Sequence, residues 1–267
     1  MMRMVRELVA FLGFALMALA MMPSAWAQKS EPLPTETLSS AAPKDVHTRA
    51  VAHTELASLY FQSGNLIVAL EELTLAISIN PNYAPAYSTR GLVLYYVKEF
   101  ESAEKDFRQA LYLDEKDPEI NNNYGWYLCQ TGKAKESIAY FLRASRNSLY
   151  KTPEVAFLNA GSCYVKLGEL TQAEDYVRRS MRFAPENPQA LFQLALINYK
   201  RGNYDAAKQH LKNVVRVSEP NAEVLWLYLR VERRLGDTQA ESSFAAQLKR
   251  KYPDSPEYLD LLKGNFE

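Results

Sequence analysis

Histidine and cysteine are both scarce in this chain, which has three histidines and two cysteines among 267 residues. The histidines, His47, His53 and His210, show no H-x-x-x-H pairing, and two cysteines are too few for a structural zinc site. The sequence also lacks a G-x-S-x-G, P-loop or paired-acid pattern. These absences argue against a metal site, a cofactor and a small-molecule substrate, so we expect a protein that is not an enzyme.

An excess of one charge is also missing, because Lys and Arg together number 31 and Asp and Glu together number 31. Proteins that bind nucleic acid through its phosphates usually carry a basic excess, so nucleic acid is not an expected partner. Hydrophobic residues make up 48% of the chain, which is enough for the core of one large domain or two smaller ones.

Residues 1–27 have the layout of a cleavable secretory signal. Arg3 and Arg6 precede an apolar run of 15 residues from Leu8 to Met22, and the small-x-small triplet at 25–27 follows. The alternative is an uncleaved membrane anchor, but a spanning helix needs roughly 20 apolar residues. No cysteine lies in this region, so no lipid anchor is evident. Cleavage predicts a protein exported to an oxidising space such as the bacterial periplasm.

Residues 28–49 carry three prolines and scattered Ser, Thr and Ala without apolar periodicity. Such a composition cannot build a packed element, so this stretch is predicted to be a flexible linker.

Most of the ten glycines follow one period. Five of them form a first series whose neighbours are 34 or 36 residues apart, except for one gap of 68 residues, and Lys98 lies at the middle of that gap. A second glycine series lies seven residues before the same position in three of the units. The first series is Gly64, Gly132, Gly168, Gly202 and Gly236, and the second is Gly91, Gly125 and Gly161. A period near 34 indicates a solenoid of helical hairpins.

Small and large apolar residues recur with the same period in two stretches of each unit, which predicts two helices per unit. Here the sequence resembles the tetratricopeptide repeat family over residues 50–255, in six units. Asn198 and Glu232 replace the expected apolar residue in the fifth and sixth units. The expected fold is all-α: a superhelical α-α solenoid of about six tetratricopeptide repeats, with a capping helix and tail at residues 256–267.

In such a solenoid the first helix of each hairpin lines a concave surface. The period places aromatic and amide side chains there, and rings beside amides suit a peptide or helix of a protein partner. The alternative is that the rings merely pack between neighbouring repeats. The predicted partner-binding residues are Phe61, Tyr95, Tyr96, Asn122 and Trp126.

Cys129 and Cys163 occupy nearly equivalent places in the first helices of the third and fourth units. Because consecutive first helices are neighbours in a solenoid, an exported chain is expected to join them in a disulfide if their α-carbons lie within roughly 7 Å. The alternative is two buried free thiols that act as small hydrophobic groups.

Three stretches resemble a narrower family, the type IV pilus biogenesis and stability proteins called PilF or PilW, the pilotins of that machine. They are NNYGWYLCQTGK at 122–133, SLYKTPEVAFLNAGSCYVKLG at 148–168 and FAAQLKRKYPDSPEY at 244–258. The resemblance implies a periplasmic, non-enzymatic factor that binds the outer-membrane secretin of the pilus and assists its assembly or stability.

Typical family members carry a lipidated cysteine directly after the signal, whereas this sequence has Ala27 and Gln28 there. We therefore expect a soluble periplasmic stability factor, or one that depends on a partner for its location at the outer membrane. The alternative is a general periplasmic repeat scaffold for cell-envelope or polysaccharide-export enzymes.

Overall fold

A computed structural model of the protein describes residues 45–266. Within this range the chain forms thirteen α-helices and no strand, and the first twelve pair into six antiparallel hairpins. The hairpins are α1 (Val46–Gln62) with α2 (Leu66–Ile79), α3 (Ala84–Tyr96) with α4 (Phe100–Leu113), α5 (Pro118–Gln130) with α6 (Ala134–Arg146), α7 (Pro153–Lys166) with α8 (Leu170–Met181), α9 (Pro188–Lys200) with α10 (Tyr204–Val217), and α11 (Ala222–Leu235) with α12 (Thr238–Lys251). A short helix, α13 (Pro256–Lys263), follows. The predicted all-α solenoid is confirmed.

The predicted signal at 1–27 lies outside the described residues, as does the linker up to residue 44. The predicted end of the linker at residue 49 is wrong, because α1 already begins at Val46. The Asp45 side chain accepts a hydrogen bond from the backbone N–H of Thr48 at 3.0 Å, which caps the helix there. The sequence-based boundary missed this cap because residues 46–49 carry no apolar repeat signal.

The periodic glycines of the first series lie in the turns between the two helices of each hairpin. Gly64 has φ +80° and Gly132 has φ +87°, in the left-handed region that glycine enters without a side-chain penalty. Lys98 holds the same turn position in the second repeat and is left-handed as well, with φ 67°. The period therefore marks a left-handed backbone conformation in the turn, and in the second repeat a lysine adopts this conformation instead of a glycine.

The second glycine series lets the two helices of a hairpin approach each other closely. A Cβ atom added to Gly125 would lie only 2.9 Å from the Phe141 ring of the second helix, and the ring occupies that space instead. Where the second helix carries a smaller leucine, the first helix carries alanine at this position. The corresponding pairs are Gly91 with Phe107, Ala57 with Leu73, and Ala195 with Leu211.

The two polar substitutions in the repeat pattern are both buried and both paired. The Asn198 Nδ2 donates to the Leu194 carbonyl at 2.8 Å. Glu232 is 1% exposed and forms an ion pair of 2.8 Å with Lys208, whose ammonium group stays near the surface. Because both polar groups find partners, they leave the hairpin geometry intact.

The six first helices α1, α3, α5, α7, α9 and α11 are in contact with one another in chain order. Within residues 45–266, no such approach is found between consecutive second helices. The hairpin row therefore curves with the first helices on its concave side, which we call the inner wall. At the far end, Tyr258 and Leu261 of α13 pack over Leu225 and Leu229 of α11, as predicted for a capping helix.

Candidate functional site

Four aromatic side chains from three successive first helices meet on the inner wall. The Tyr95 and Trp126 ring centroids are 4.8 Å apart, those of Phe61 and Tyr96 are 5.2 Å apart, and Tyr96 stacks on Trp126 at 5.9 Å. We call Phe61, Tyr95, Tyr96 and Trp126 the aromatic cluster. The structure brings together all four rings that the sequence placed on the concave surface.

The members of the aromatic cluster differ in their accessibility. Tyr96 is 52% exposed, whereas Phe61, Tyr95 and Trp126 are half-buried. Trp126 also packs against the buried cores of the second and third repeats. The rings therefore pack between neighbouring repeats, and Tyr96 remains exposed.

A cavity of about 480 Å³ lies beside the aromatic cluster, with Tyr95 in its wall. Phe100 and Tyr127 line it as well, and the Tyr127 hydroxyl donates to the Phe100 carbonyl at 2.9 Å. The sequence interpretation missed both residues because Phe100 lies in a second helix and Tyr127 occupies a core position of the repeat. The tyrosine-rich run Tyr124–Tyr127 was the signal available. The cavity can receive one apolar side chain.

The rim of this cavity is charged. Glu104 accepts hydrogen bonds from Arg108 at 2.7 Å and from Lys133 at 3.1 Å. These two cations lower the pKa of the Glu104 carboxyl group below its ordinary value, with Arg108 contributing most. The carboxylate therefore stays ionised at neutral pH and links α4 to the turn before α6.

Asn122 lies between neighbouring first helices of the inner wall and is not exposed there. It is 5% exposed, and its Oδ1 accepts a hydrogen bond from the Asn159 Nδ2 of the next repeat at 3.0 Å. The neighbouring Asn123 makes the analogous contact to Ser88 of the preceding repeat at 3.2 Å. The amides connect the first helices along the inner wall, so Asn122 is already occupied by a contact within the chain.

Cys129 and Cys163 form a disulfide between α5 and α7, with their α-carbons 6.0 Å apart. Both residues are buried, and Trp126 lies against the same cluster. Cys163 lies five residues before its turn glycine, and Cys129 lies three residues before its own. In the preceding pair of repeats Tyr127 and Tyr95 occupy those positions and are in ring contact. The disulfide thus replaces an apolar contact between repeats.

The described part of the chain, residues 45–266, contains no group of three or more His, Cys, Asp or Glu side chains that is arranged to hold a metal ion. None of the helices in that range combines the length and the apolarity that crossing a membrane requires.

Comparison with protein families shows tetratricopeptide repeats at residues 50–83, 88–148, 155–187 and 192–256. Together these stretches cover most of the described residues. They coincide with the hairpins described above.

The type IV pilus assembly protein PilF of Pseudomonas aeruginosa is 30% identical over 210 residues, which are 79% of this chain and 83% of that protein. The crystal structure of PilW, described as a widely conserved type IV pilus biogenesis factor, superposes with a TM-score of 0.73 at 33% identity, covering 80% of this chain and 98% of PilW. The Pseudomonas aeruginosa PilF structure gives a TM-score of 0.69 at 28% identity, covering 82% and 99%. The chain therefore belongs to the tetratricopeptide repeat family and, within it, to the group that contains PilF and PilW.

Proposed function

We propose that this protein is a non-enzymatic, protein-binding factor of type IV pilus biogenesis, which binds the pilus secretin on its inner wall and assists secretin assembly or stability. The observation that carries the proposal is the relation to PilF and PilW along nearly the whole repeat region. Both relatives are named as pilus assembly or biogenesis proteins.

The inner wall supports a binding role. A half-exposed aromatic ring beside an apolar cavity is the kind of feature that dominates protein–protein binding energy, because burying it removes apolar surface from water at little entropic cost. Tyr96 and the cavity next to Tyr95 provide this combination.

We place the protein in the periplasm on two grounds. Residues 1–27 have the pattern of a secretory signal, and a buried disulfide is a feature that persists in oxidising compartments. Fractionation of cells with a periplasmic marker tests the location, and recovery with the cytoplasmic fraction would contradict it.

Deletion of the gene tests the cellular role. We expect loss of twitching motility and fewer heat-stable secretin multimers on gels, both restored by the wild-type gene. Unchanged motility with intact multimers would contradict a pilus role and favour the general periplasmic scaffold.

A pair of tyrosine variants tests the inner wall directly. Tyr96→Ala removes the exposed ring of the aromatic cluster, whereas Tyr112→Ala removes a ring that is 84% exposed on the second helix α4. In pull-downs from membrane extracts with residues 28–267 as bait, we expect Tyr96→Ala to weaken secretin capture about tenfold, as for a residue that dominates an interface. Tyr112→Ala should have no effect, and equal capture by both variants would remove the inner wall from the proposal.

A further inference from the structure

A second cavity, of about 530 Å³, lies at the edge of the solenoid where one repeat is joined to the next. It is formed between residues 114–119 and residues 147–151, and we call it the loop cavity. From Glu119 in its wall to Gln130 in the wall of the cavity beside Tyr95, the rise along α5 amounts to about 16 Å. The loop cavity is therefore a separate place on the molecule, and its volume is in the range of about 300 to 1,000 Å³ that ligand sites have.

Two hydrogen bonds tie the two sides of the loop cavity together. The Asn147 Nδ2 donates to the Lys116 carbonyl at 3.0 Å, and the Asn147 Oδ1 accepts from the backbone N–H of Leu149 at 2.9 Å. The Leu149 side chain is 83% exposed. The loop of the third repeat thus presents an apolar side chain beside a cavity whose shape is held by bonds within the chain.

Carboxylates outnumber ammonium groups in the wall of the loop cavity. The charged residues that line it are Asp114, Asp117, Glu119, Lys116 and Lys151. None of these five side chains is part of an ion pair within residues 45–266. The acidic excess is therefore not neutralised within the part of the chain that the structure describes.

The helix start in this cavity does not offer an anion site. The Asp117 Oδ1 accepts a hydrogen bond from the backbone N–H of Ile120 at 2.9 Å and so occupies the N-terminus of α5. Partial burial, followed by the neighbouring Asp117, raises the pKa of the Glu119 carboxyl group above its ordinary value. A carboxylate that is partly removed from water and lies beside a second carboxylate is stabilised by a cation.

Tyr150 supplies an independent observation. It is 6% exposed and lines the loop cavity, and its hydroxyl group has no hydrogen-bond partner among residues 45–266. Burial raises the pKa of Tyr150 to about 12; Thr152 is close enough to oppose that rise, but no hydrogen bond of standard geometry joins the two hydroxyls. Glu119 and Glu154 raise the pKa further, so both carboxylates lie near the hydroxyl. A buried polar group without a partner costs free energy, which a ligand that bonds to it would recover.

We propose that the loop cavity is a second binding site, which takes an arginine side chain of a protein partner while a residue adjacent to that arginine packs on Leu149. The N–H donors of a guanidinium group can reach two carboxylates and the Tyr150 hydroxyl oxygen at once. A metal ion fits less well, because the described residues hold no group of three or more His, Cys, Asp or Glu side chains arranged to bind one. The inference goes beyond the proposed function, because this site does not use the inner wall.

Two short peptides test the inference. The peptide acetyl-Leu-Arg-Leu-amide carries a guanidinium group, and its citrulline version carries an uncharged group of the same shape. Each is titrated into 15N-labelled protein, residues 28–267, and followed by two-dimensional NMR. We expect the arginine peptide to shift the backbone amides of residues 114–120 and 147–154, and the citrulline peptide to bind about tenfold more weakly, as for the loss of hydrogen bonds between charged groups. Equal Kd values would leave only apolar contact and overturn the inference.

The matched variants are Glu119→Gln/Glu154→Gln at the loop cavity and Glu136→Gln/Glu223→Gln elsewhere, all in the first turn of a helix. Both pairs change the net charge equally and remove the same kind of contact with a helix dipole. We expect the cavity pair to raise the Kd of the arginine peptide about tenfold and the control pair to change it less than about twofold. Equal effects of the two pairs would reduce binding to general electrostatics and overturn the inference.

Tyr150→Phe removes the unpaired hydroxyl group and keeps the ring. We expect the Kd of the arginine peptide to rise about threefold, as for one neutral hydrogen bond, while the urea midpoint stays the same or rises. A lower midpoint with an unchanged Kd would show that the hydroxyl serves folding alone, and would overturn the assignment.

The remaining outcomes separate this site from the inner wall. Tyr96→Ala should leave the Kd of the arginine peptide unchanged, and a loss of binding there would place the peptide on the inner wall and overturn the inference. Inorganic phosphate that shifts the same amides would reveal an anion site at Lys116 and Lys151 and overturn it as well. A lack of shifts at millimolar arginine peptide would also overturn it, whereas the pilus role stands or falls with the motility and secretin experiments.

Discussion

The first hairpin and the five later ones use the same repeat position in opposite ways. Five residues before the turn, the first repeat has Leu59, which is 63% exposed. The equivalent residues of the later repeats are at most 2% exposed, and they are Val93, Tyr127, Cys163, Ile197 and Val231. The residue type is similar, but only the later residues have a preceding repeat to pack against.

The comparison shows that burial at this position is a property of the junction between repeats rather than of the sequence motif. In a repeat array, stability divides into terms within each hairpin and terms between neighbours. Substitutions at the repeat position of Leu59 change the terms between neighbouring repeats. Variants at matched positions can therefore measure how much of the stability comes from the junctions.

The largest contrast is expected between Ile197→Ala and Leu59→Ala. Ile197 is completely buried, so its truncation leaves a cavity and should lower the free energy of unfolding by about 2 to 5 kcal/mol. Leu59→Ala should change it by less than about 0.5 kcal/mol, as for an exposed site. Urea unfolding followed by circular dichroism measures both values. Comparable losses would mean that Leu59 is covered in solution.

Cys163 occupies the same repeat position as Ile197, at the junction with the preceding repeat. The disulfide to Cys129 therefore adds a covalent link to that junction. Replacing both cysteines by alanine should lower the free energy of unfolding by about 3 to 4 kcal/mol, since the unfolded chain gains the freedom of a long loop. Thiol counting on unreduced protein checks the premise first. Two free thiols per chain would contradict the disulfide, and an unchanged urea midpoint would show that this junction is no stronger than the others.

Gly125 tests the terms within a hairpin. Gly125→Ala places a methyl group against the Phe141 ring and should cost about 1 to 3 kcal/mol through overpacking. Phe141→Leu, added to this variant, recreates the alanine–leucine pair of the first and fifth repeats. The double variant should therefore be more stable than the sum of the single effects predicts. Simple additivity in a double-mutant cycle would show that the pairs are not matched by volume.

The smallest effect concerns Glu174, which links two repeats through Arg201 and also bonds to Arg178 within α8. Arg201 and Arg178 lower the pKa of the Glu174 carboxyl group below its ordinary value of 4.5. A lowered pKa in the folded state stabilises the fold above about pH 4.5, and that contribution disappears as the pH falls through the folded-state pKa.

Glu174→Gln should therefore lower stability at pH 7 by at most about 1 kcal/mol and flatten its decline between pH 5 and pH 3. Urea midpoints across this range measure the effect. An unchanged pH dependence would mean that other carboxylates account for the acid sensitivity.

Much of the fold could be predicted because the repeat period appears at positions where the backbone or the packing allows few residue types. A left-handed turn favours glycine, and a close helix approach excludes side chains, so both features leave a spacing that a single sequence reveals. The start of α1 at Val46 was missed because it depends on one capping bond of Asp45, which has no periodic counterpart.

The candidate site was only partly predictable. The aromatic cluster follows from register, since the rings of three repeats must meet if the first helices are neighbours. Asn122 shares that register, but its amide bonds to Asn159, and a sequence pattern does not reveal which polar groups are already paired.

Lys98 offers a practical consequence. Its left-handed backbone carries a cost of roughly 1 to 2 kcal/mol that the glycines of the other turns avoid. The residue is exposed and lies outside the aromatic cluster. A Lys98→Gly variant would therefore be more stable and would keep the aromatic cluster unchanged. Such a variant is suited to crystallisation with a weakly bound partner.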